Sequence, residues 1–197
     1  MKTKLSQITE IKSGYLFKEG ICPDKEGAVC VIQLKNVNER GIIDSGDFQR
    51  VDLPNSESLD FVVTGDVLFK AKTNRPVAVA VEENWANTIV TAHYFVIRIK
   101  DQKVLPKYLA WYLNQRPAQV YFEKYAGGSR VQIINKQTLG DLEIVLPDIE
   151  TQEKIEKIYS LNQREHNLAK TIYEKRQKLI SGQLMDLISR EGAYGKR

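Results

Sequence analysis

Short apolar runs, separated by polar stretches that contain glycine, make up the chain as far as Pro147. Several of these runs are rich in β-branched residues, which favours β-strands. The stretch Thr64-Gly65-Asp66 lies between two apolar runs, as a hairpin or a sharp corner requires. We therefore predict strands at Ala28–Leu34, Val77–Val81 and Ile89–Ile99.

Near its end the last of these runs alternates between apolar and polar residues, which is typical of a half-buried strand. Arg98 occupies a polar position, so we expect its side chain to face solvent or a ligand. Pro106 then opens a helical stretch in which tyrosines and leucines share one face. Such a stripe is far more often core packing than a binding site. We assign to the core Tyr108, Leu109, Tyr112 and Leu113.

After Pro117 a second short helix is expected to reach Tyr125. Apolar residues then carry the chain back through the domain to Pro147, which cannot extend a strand interior and so marks the exit. Beyond this proline the composition changes to Gln, Glu, Lys, Ile and Leu with no further proline, which predicts one long helix. The apolar residues of the return path are Val131, Ile133, Leu139, Leu142, Ile144 and Leu146.

A chain of 197 residues with 42% hydrophobic content can bury one good core, and a second full domain would fit poorly. We predict an α+β protein: a mixed α/β domain with a β-rich core over 1–147, a long C-terminal helix over 148–190 and a flexible tail over 191–197. The formal net charge of +4 permits an anionic partner without requiring one. No apolar run is long enough to span a membrane, and we expect a cytoplasmic protein.

The predicted long helix is unsuited to burial against a small domain. From Thr151 to Ser189 it would be roughly 60 Å long at 1.5 Å per residue. Its seven-residue spacings place Glu165, Lys175 and Gly182 among the apolar residues of a coiled-coil seam. Two copies that run antiparallel about a two-fold axis near Lys170 give each of these three residues a suitable partner.

In this antiparallel register Glu165 faces Lys175, and the small Gly182 lies beside Ile158. A shift by one heptad would instead bury charge against hydrocarbon. We therefore expect an antiparallel coiled coil in a homodimer. Its interface residues would be Lys154, Ile158, Leu161, Glu165, Leu168, Ile172, Lys175, Leu179, Gly182 and Asp186. The alternative is a helix that docks on another subunit, and the outer face leaves room for both.

The residues around the start of this helix carry a resemblance to a known family. The sequence AGGSRVQIINKQTLGDLEIVLPDIETQEKI resembles the end of a target recognition domain and the start of a spacer helix in the specificity subunits of type I restriction-modification systems. Leu5–Gly14 and the stretch Gly65-Asp66-Val67-Leu68 resemble the opening and middle signatures of that family. The matching exit positions are Ile144, Pro147, Ile149, Gln152 and Ile155.

The resemblance implies a sequence-specific DNA recognition subunit. A usual subunit of that family has two recognition domains and two spacer helices, whereas this chain has one of each, which implies a half-subunit that needs a second copy or another half. The implied partners are double-stranded DNA, methyltransferase subunits and a restriction subunit, with S-adenosylmethionine bound by the partner. A symmetric dimer would read a bipartite, palindromic target. The alternatives are a free-standing DNA-binding regulator and a coiled-coil adaptor without a DNA role.

Two loops combine cations with groups that can read bases. The segment Lys70–Arg75 contains Asn and Arg, which suit bidentate contacts with adenine and guanine, and the segment Tyr125–Arg130 offers backbone NH groups beside a cation. Each segment could equally be a solvated turn. The DNA-binding residues that we predict are Lys70, Lys72, Thr73, Asn74, Arg75, Ser129 and Arg130, with Lys18 as a third location.

The sequence offers no catalytic motif. It lacks an Asn-Pro-Pro-aromatic tetrapeptide, a GxxxxGK[ST] phosphate loop and a cofactor fingerprint. Cys22 and Cys30 have no further cysteine or nearby histidine to complete a zinc site, so we interpret them as reduced thiols. His93, in a strand candidate, and His166, on the charged helix, are isolated. We predict a non-enzyme with no cofactor and no metal.

Overall fold

A computed structural model describes residues 2–53, 59–125 and 132–194. The chain divides into two compact units, Met1–Lys154 and Ile155–Arg197. The strands and the short helices lie in the first unit, and the second unit contains most of one long helix. The predicted α+β class, with β-rich sheets and a long C-terminal helix, is confirmed. None of the helices that the structure describes has the continuous apolar stretch that a transmembrane helix needs.

The strands are β1 Lys2–Lys4, β2 Thr9–Ser13, β3 Val29–Ile32, β4 Gln49–Val51, β5 Val67–Lys70, β6 Lys72–Thr73, β7 Val77–Ala80, β8 Thr88–Val90, β9 Tyr94–Ile99, β10 Gln132–Ile133 and β11 Glu143–Val145. The α-helices are α1 Leu5–Ile8, α2 Pro106–Leu113, α3 Arg116–Tyr125, α4 Lys136–Gly140 and α5 Ile149–Tyr194. Two short 3-10 helices span Leu34–Asn36 and Ser45–Asp47.

The largest sheet of the described residues has four antiparallel strands in the order β2-β9-β5-β7. Its register places Lys70 opposite both Tyr94 and Val77, and Ser13 opposite Phe95. The end of β2, the end of β5 and the starts of β7 and β9 therefore meet at one end of this sheet. We call it the loop end, because the loops that follow or precede these strands leave from it.

The two faces of this sheet pack into separate apolar clusters, because successive strand side chains point to opposite faces. On β5, Val67 and Phe69 join a cluster with the helices α1 to α4, while Leu68 joins a second cluster with residues of β3 and β8. The β5 side chains are buried on both sides for this reason. The predicted core role of the helix aromatics also holds: Tyr108 is buried, and Tyr112 packs against the first cluster.

A three-stranded sheet in the order β4-β3-β8 contains a parallel pair, β3 with β8. The single strand predicted at Ile89–Ile99 is therefore wrong, because its two halves belong to different sheets and are joined by a turn. His93 lies in that turn and not in a strand. Gly14 is needed where the exit of β2 passes over β8, since a Cβ there would lie 2.2 Å from the Thr91 carbonyl oxygen.

Arg98 is partly exposed, and its guanidinium binds a buried carboxylate of the protein, a partner that the sequence prediction did not include. Its Nε and Nη2 atoms donate to the two carboxylate oxygens of Asp66 at 2.9 and 2.8 Å, and the Asp66 side chain is only 1% exposed. The hydrogen bonds to this carboxylate and its negative charge raise the pKa of Arg98. The predicted corner at Thr64-Gly65-Asp66 is present, with Gly65 at φ +93°. The turn at Gly65 therefore places the Asp66 carboxylate beside the Arg98 guanidinium.

The start of α5 is fixed to the first unit by a buried amide. Gln152 is fully buried, and its Nε2 atom donates to the carbonyl oxygens of Lys103 at 2.8 Å and Pro147 at 3.0 Å. Its Oε1 atom accepts from the backbone NH of Leu105 at 3.0 Å. An uncharged side chain with both a donor and an acceptor function is needed here, because all three backbone groups would otherwise lack a partner.

The long helix α5 runs over Ile149–Tyr194, compared with 148–190 in the sequence prediction. The functional division into a recognition domain, a spacer helix and a tail stays a prediction. Within the single chain, the apolar side chains that we assigned to the dimer seam are more than half exposed. They are Ile158, Leu161, Leu168, Ile172 and Leu179. A coiled-coil partner for them also stays a prediction.

Candidate nucleic-acid interface

Three loop segments lie together at the loop end of the four-stranded sheet. Residues 71–76 connect β5 to β7, residues 91–93 lead into β9, and residues 14–18 follow β2. Backbone hydrogen bonds tie these segments to each other and to β9: the Ala71 NH donates to the His93 carbonyl at 2.9 Å, and the Gly14 NH donates to the Tyr94 carbonyl at 3.0 Å. Two of the three predicted DNA-contact locations, 70–75 and Lys18, therefore leave the same end of one sheet.

The connection between β5 and β7 presents exposed polar side chains at its tip. Lys72, Asn74 and Arg75 are exposed, and Thr73 is half-buried. Pro76 is buried immediately afterwards, so the tip alone reaches solvent. A lysine, an asparagine and an arginine in one tight tip combine phosphate contacts with the side chains that best read adenine and guanine.

The second predicted loop leads to the same place. Ser129 and Arg130 lie outside the described residues, but β10 begins at Gln132 and pairs antiparallel with β6. The register sets Gln132 opposite Thr73 and Ile133 opposite Lys72. β10 therefore lies beside the strand that leads into the tip of the first loop, which the sequence alone did not show.

Lys70 differs from the exposed cations that follow it. Its residue is only 8% exposed, and its Nζ atom donates to the carbonyl oxygen of Val37 at 2.5 Å. Burial lowers the pKa of Lys70, and the nearby carboxylate of Glu39 partly opposes that shift. The Lys70 ammonium is thus used inside the protein, where it ties the end of β5 to a loop 33 residues earlier in the chain. This geometry favours a supporting role over the predicted DNA contact.

Lys18 is exposed in a bend that follows an anchored segment. Tyr15 fixes that segment, since its NH donates to the Val90 carbonyl at 2.8 Å and its carbonyl accepts from the Ala92 NH at 2.8 Å. Its ring also packs edge-on against Phe17, with centroids 4.8 Å apart. The backbone before Lys18 is therefore held, while its cation remains accessible.

Two side-chain amides that sequence reasoning missed, the buried Gln119 and the half-buried Asn114, hold the tip in place. Gln119 of α3 donates to the Pro76 carbonyl at 3.2 Å and accepts a long hydrogen bond of 3.5 Å from Arg75 Nε. Asn114 exchanges two hydrogen bonds with the backbone of Ala78 on the edge strand β7, at 2.9 and 2.7 Å. Neither amide gave a signal of this in the sequence, because the partners lie 36 to 44 residues away.

The described residues contain no group of three or more His, Cys, Asp or Glu side chains that could hold a metal ion. The candidate interface is instead cationic and polar, with backbone segments fixed by buried hydrogen bonds. Such an arrangement suits binding to an anionic polymer more than chemistry on a small substrate.

Comparison with known proteins agrees with this description. The model of a family described as the type I restriction modification DNA specificity domain matches residues 1–175. Among solved structures, the HsdS subunit of Thermoanaerobacter tengcongensis is similar with a TM-score of 0.58 at 15% identity, covering 84% of this chain and 37% of that one. The type I restriction-modification S subunit of M. genitalium is similar with a TM-score of 0.57 at 20% identity, covering 90% of this chain and 42% of that one.

No curated protein matches the sequence. The chain spans less than half the length of the S subunits that it resembles. The similarity to these two solved structures shows the fold. The family model covers most of the chain and shows the family to which the chain belongs. That family is one of specificity domains, so the prediction of a non-catalytic chain is confirmed. The chain belongs to the family of type I restriction-modification DNA specificity domains.

Proposed function

We propose that the first unit recognises a specific half-site in double-stranded DNA through the loop end of its four-stranded sheet. The observation that carries this proposal is the convergence there of Lys72, Asn74 and Arg75 with the strand that follows Ser129 and Arg130. Lysine would neutralise phosphates, and asparagine and arginine would form bidentate contacts with base edges. Thr73 lies between them and Lys18 extends the cationic surface on the neighbouring loop.

The functional molecule in this proposal is a homodimer. Antiparallel pairing of two α5 helices about Lys170 would cover the exposed seam that includes Leu168 and Ile172. It would also pair Glu165 with Lys175. Two recognition domains related by a two-fold axis would read a bipartite, palindromic target, because isologous symmetry repeats the same half-site in the opposite direction.

Methylation and cleavage in this proposal belong to partner subunits. Methyltransferase subunits would dock on the outer surface of the paired helices and bind S-adenosylmethionine, with a restriction subunit as a further partner. Co-purification of a tagged chain with a methyltransferase from its host tests this step. Recovery of the chain with no methyltransferase from cells that express both would contradict it.

The recognition function is tested by methylome sequencing of the host with and without the gene, which gives the target directly. Binding of the purified protein to that target is then compared with binding to a scrambled duplex. Arg75→Ala should cost roughly 1 to 3 kcal/mol and relax one base position if Arg75 contacts a base. Lys100→Ala is the matched control, because Lys100 is also exposed but follows β9 at the opposite end of the sheet. Equal effects of the two substitutions would contradict the proposed interface.

A further inference from the structure

The pairing of β6 with β10 forms a two-stranded ribbon beside the four-stranded sheet. Gln132 lies opposite Thr73 and Ile133 opposite Lys72, and the ladder continues with a hydrogen bond of 2.9 Å from the Ile134 NH to the Ala71 carbonyl. We call these paired residues, 71–73 and 132–134, the ribbon. One of its strands leads directly into the exposed tip that carries Asn74 and Arg75.

The ribbon has one inner and one outer face. Ala71 and Ile134 are each 2% exposed, so their side chains belong to the core. The next residue along each strand points to the opposite face, and directly opposed residues share a face. The outer face therefore presents Ile133 and Lys72 side by side. Ile133 is 62% exposed, although the sequence pattern predicted that it would help carry the chain back through the domain.

An exposed isoleucine beside a lysine suits one feature of duplex DNA. The major groove accepts a two-stranded β-ribbon, and the thymine 5-methyl group is the apolar group that base edges present there. An isoleucine side chain has no donor or acceptor, so it can distinguish bases only through such an apolar contact. Lys72 next to it would bind the phosphate backbone, and the cations of the tip complement the charge of the groove wall.

We propose that the ribbon enters the major groove of the half-site and that Ile133 contacts a thymine 5-methyl group, which makes Ile133 a specificity-determining residue. This inference rests on the proposed DNA-recognition function and adds to it both the groove and one feature of the target. It requires at least one A·T pair in each half-site within reach of the ribbon.

Deoxyuridine substitution tests the contact, because uracil pairs like thymine but lacks the methyl group. Each thymine of the target is replaced in turn, and binding of the full-length protein is measured by fluorescence anisotropy. At one position the replacement should weaken binding by the wild type about fourfold, the value expected for one buried methyl group. Ile133→Ala should weaken binding to the thymine duplex by a similar factor. Its affinity should not change further when deoxyuridine replaces thymine at that position.

A second exposed aliphatic residue in the chain provides the control. Val145 is 42% exposed on the β1–β11 ladder and lies opposite Lys2, as Ile133 lies opposite Lys72. Val145→Ala should bind the thymine duplex and each deoxyuridine duplex as the wild type does. Thermal unfolding of both variants shows whether the fold is kept, and the exposure of both residues predicts small changes.

The outcomes separate this inference from the proposed function. Failure of the wild type to prefer its target over a scrambled duplex would contradict the proposed function itself. A different result is that the wild type binds its target specifically while Ile133→Ala and the wild type respond alike to deoxyuridine at every position. That result would leave DNA recognition intact and overturn the thymine contact. A target without thymine on either strand of the half-site would overturn it as well.

Discussion

Reversal of one charge in the proposed helix seam tests the antiparallel dimer. In that register Glu165 of each copy faces Lys175 of the other, so a dimer contains this pair twice. Both residues are exposed in the single chain, and neither forms an ion pair within the described residues. Glu165→Lys would therefore place like charges opposite each other twice without breaking a described ion pair within the helix.

The size of the effect follows from the exposure of the two residues. An exposed ion pair contributes roughly 0.2 to 1 kcal/mol, and a like-charge pair costs a similar amount. Loss of attraction and gain of repulsion at two sites thus amount to about 2 kcal/mol per dimer, which is about thirtyfold in Kd. The effect should decrease at high salt, since screening weakens interactions between exposed charges.

Sedimentation equilibrium measures the monomer–dimer constant of each variant. Glu165→Lys and Lys175→Glu should each weaken the dimer, and the double variant should restore it because the charges are exchanged. Glu174→Lys is the control with the same change in charge. Glu174 lies nine residues from Glu165, which is two and a half helical turns, so the two side chains are on opposite faces of the helix. The substitution removes only the ion pair between Glu174 Oε1 and Lys170 Nζ, which are 3.7 Å apart. A double variant no better than the single variants would refute the register.

Three further predictions concern the first unit. Gln152→Ala should destabilise the fold by about 3 kcal/mol in urea unfolding, because a buried amide is removed and three backbone groups lose its hydrogen bonds. The control Gln177→Ala, at an exposed position of the helix, should change the stability by less than about 0.5 kcal/mol. Lys72→Met should reduce the slope of log K for DNA binding against log salt concentration by about 1, the value for one phosphate contact. Lys70→Met should leave this slope unchanged, since the Lys70 ammonium is bound to the Val37 carbonyl. Burial raises the pKa of Tyr108 to about 12, above its ordinary value of 10. The stability that the neutral phenol contributes is therefore complete below about pH 10 and is lost as the pH rises towards 12. In thermal melts recorded between about pH 10 and 12, Tyr108→Phe should lose less stability than the wild type.

Sequence patterns identified the elements whose causes are local. Pro106 does begin α2, because a proline at the first helical position sacrifices no hydrogen bond. The corner at Gly65 is present, because a glycine there permits a positive φ. The change in composition after Pro147 marked the long helix to within a few residues. In each case a few neighbouring residues determine the backbone conformation.

The features that sequence reasoning missed depend on partners far along the chain. Arg98 and Asp66 are 32 residues apart, and nothing in the alternation around Arg98 showed that a buried carboxylate would lie against it. Lys70 ends a strand that is buried on both faces, so the usual expectation of an exposed lysine failed. The single strand predicted at Ile89–Ile99 failed because strand propensity does not distinguish one long strand from two in different sheets.

The candidate interface shows the same division between local and distant causes. The residue types at the tip, Lys72, Asn74 and Arg75, were recognisable from the sequence because their chemistry suits DNA. The groups that fix the tip were not, because Gln119 and Asn114 reach it from a different element. The pairing of β6 with β10 likewise joins residues far apart in the chain.

The side chains that would contact DNA in the proposed interface differ from those that hold them in place. A binding site is selective when its contact residues are held by side chains that are themselves fully hydrogen-bonded. Here Gln119 is buried and Asn114 half-buried, whereas Lys72, Asn74 and Arg75 are exposed. In the proposed interface, a substitution at the tip would therefore change contacts with DNA at little cost to folding. Substitution of Gln119 or Asn114 would instead leave buried backbone groups without partners and would disturb stability and recognition together. In the proposed interface, a change of target sequence is therefore most accessible at Lys72, Asn74, Arg75 and Ile133, whose side chains are exposed.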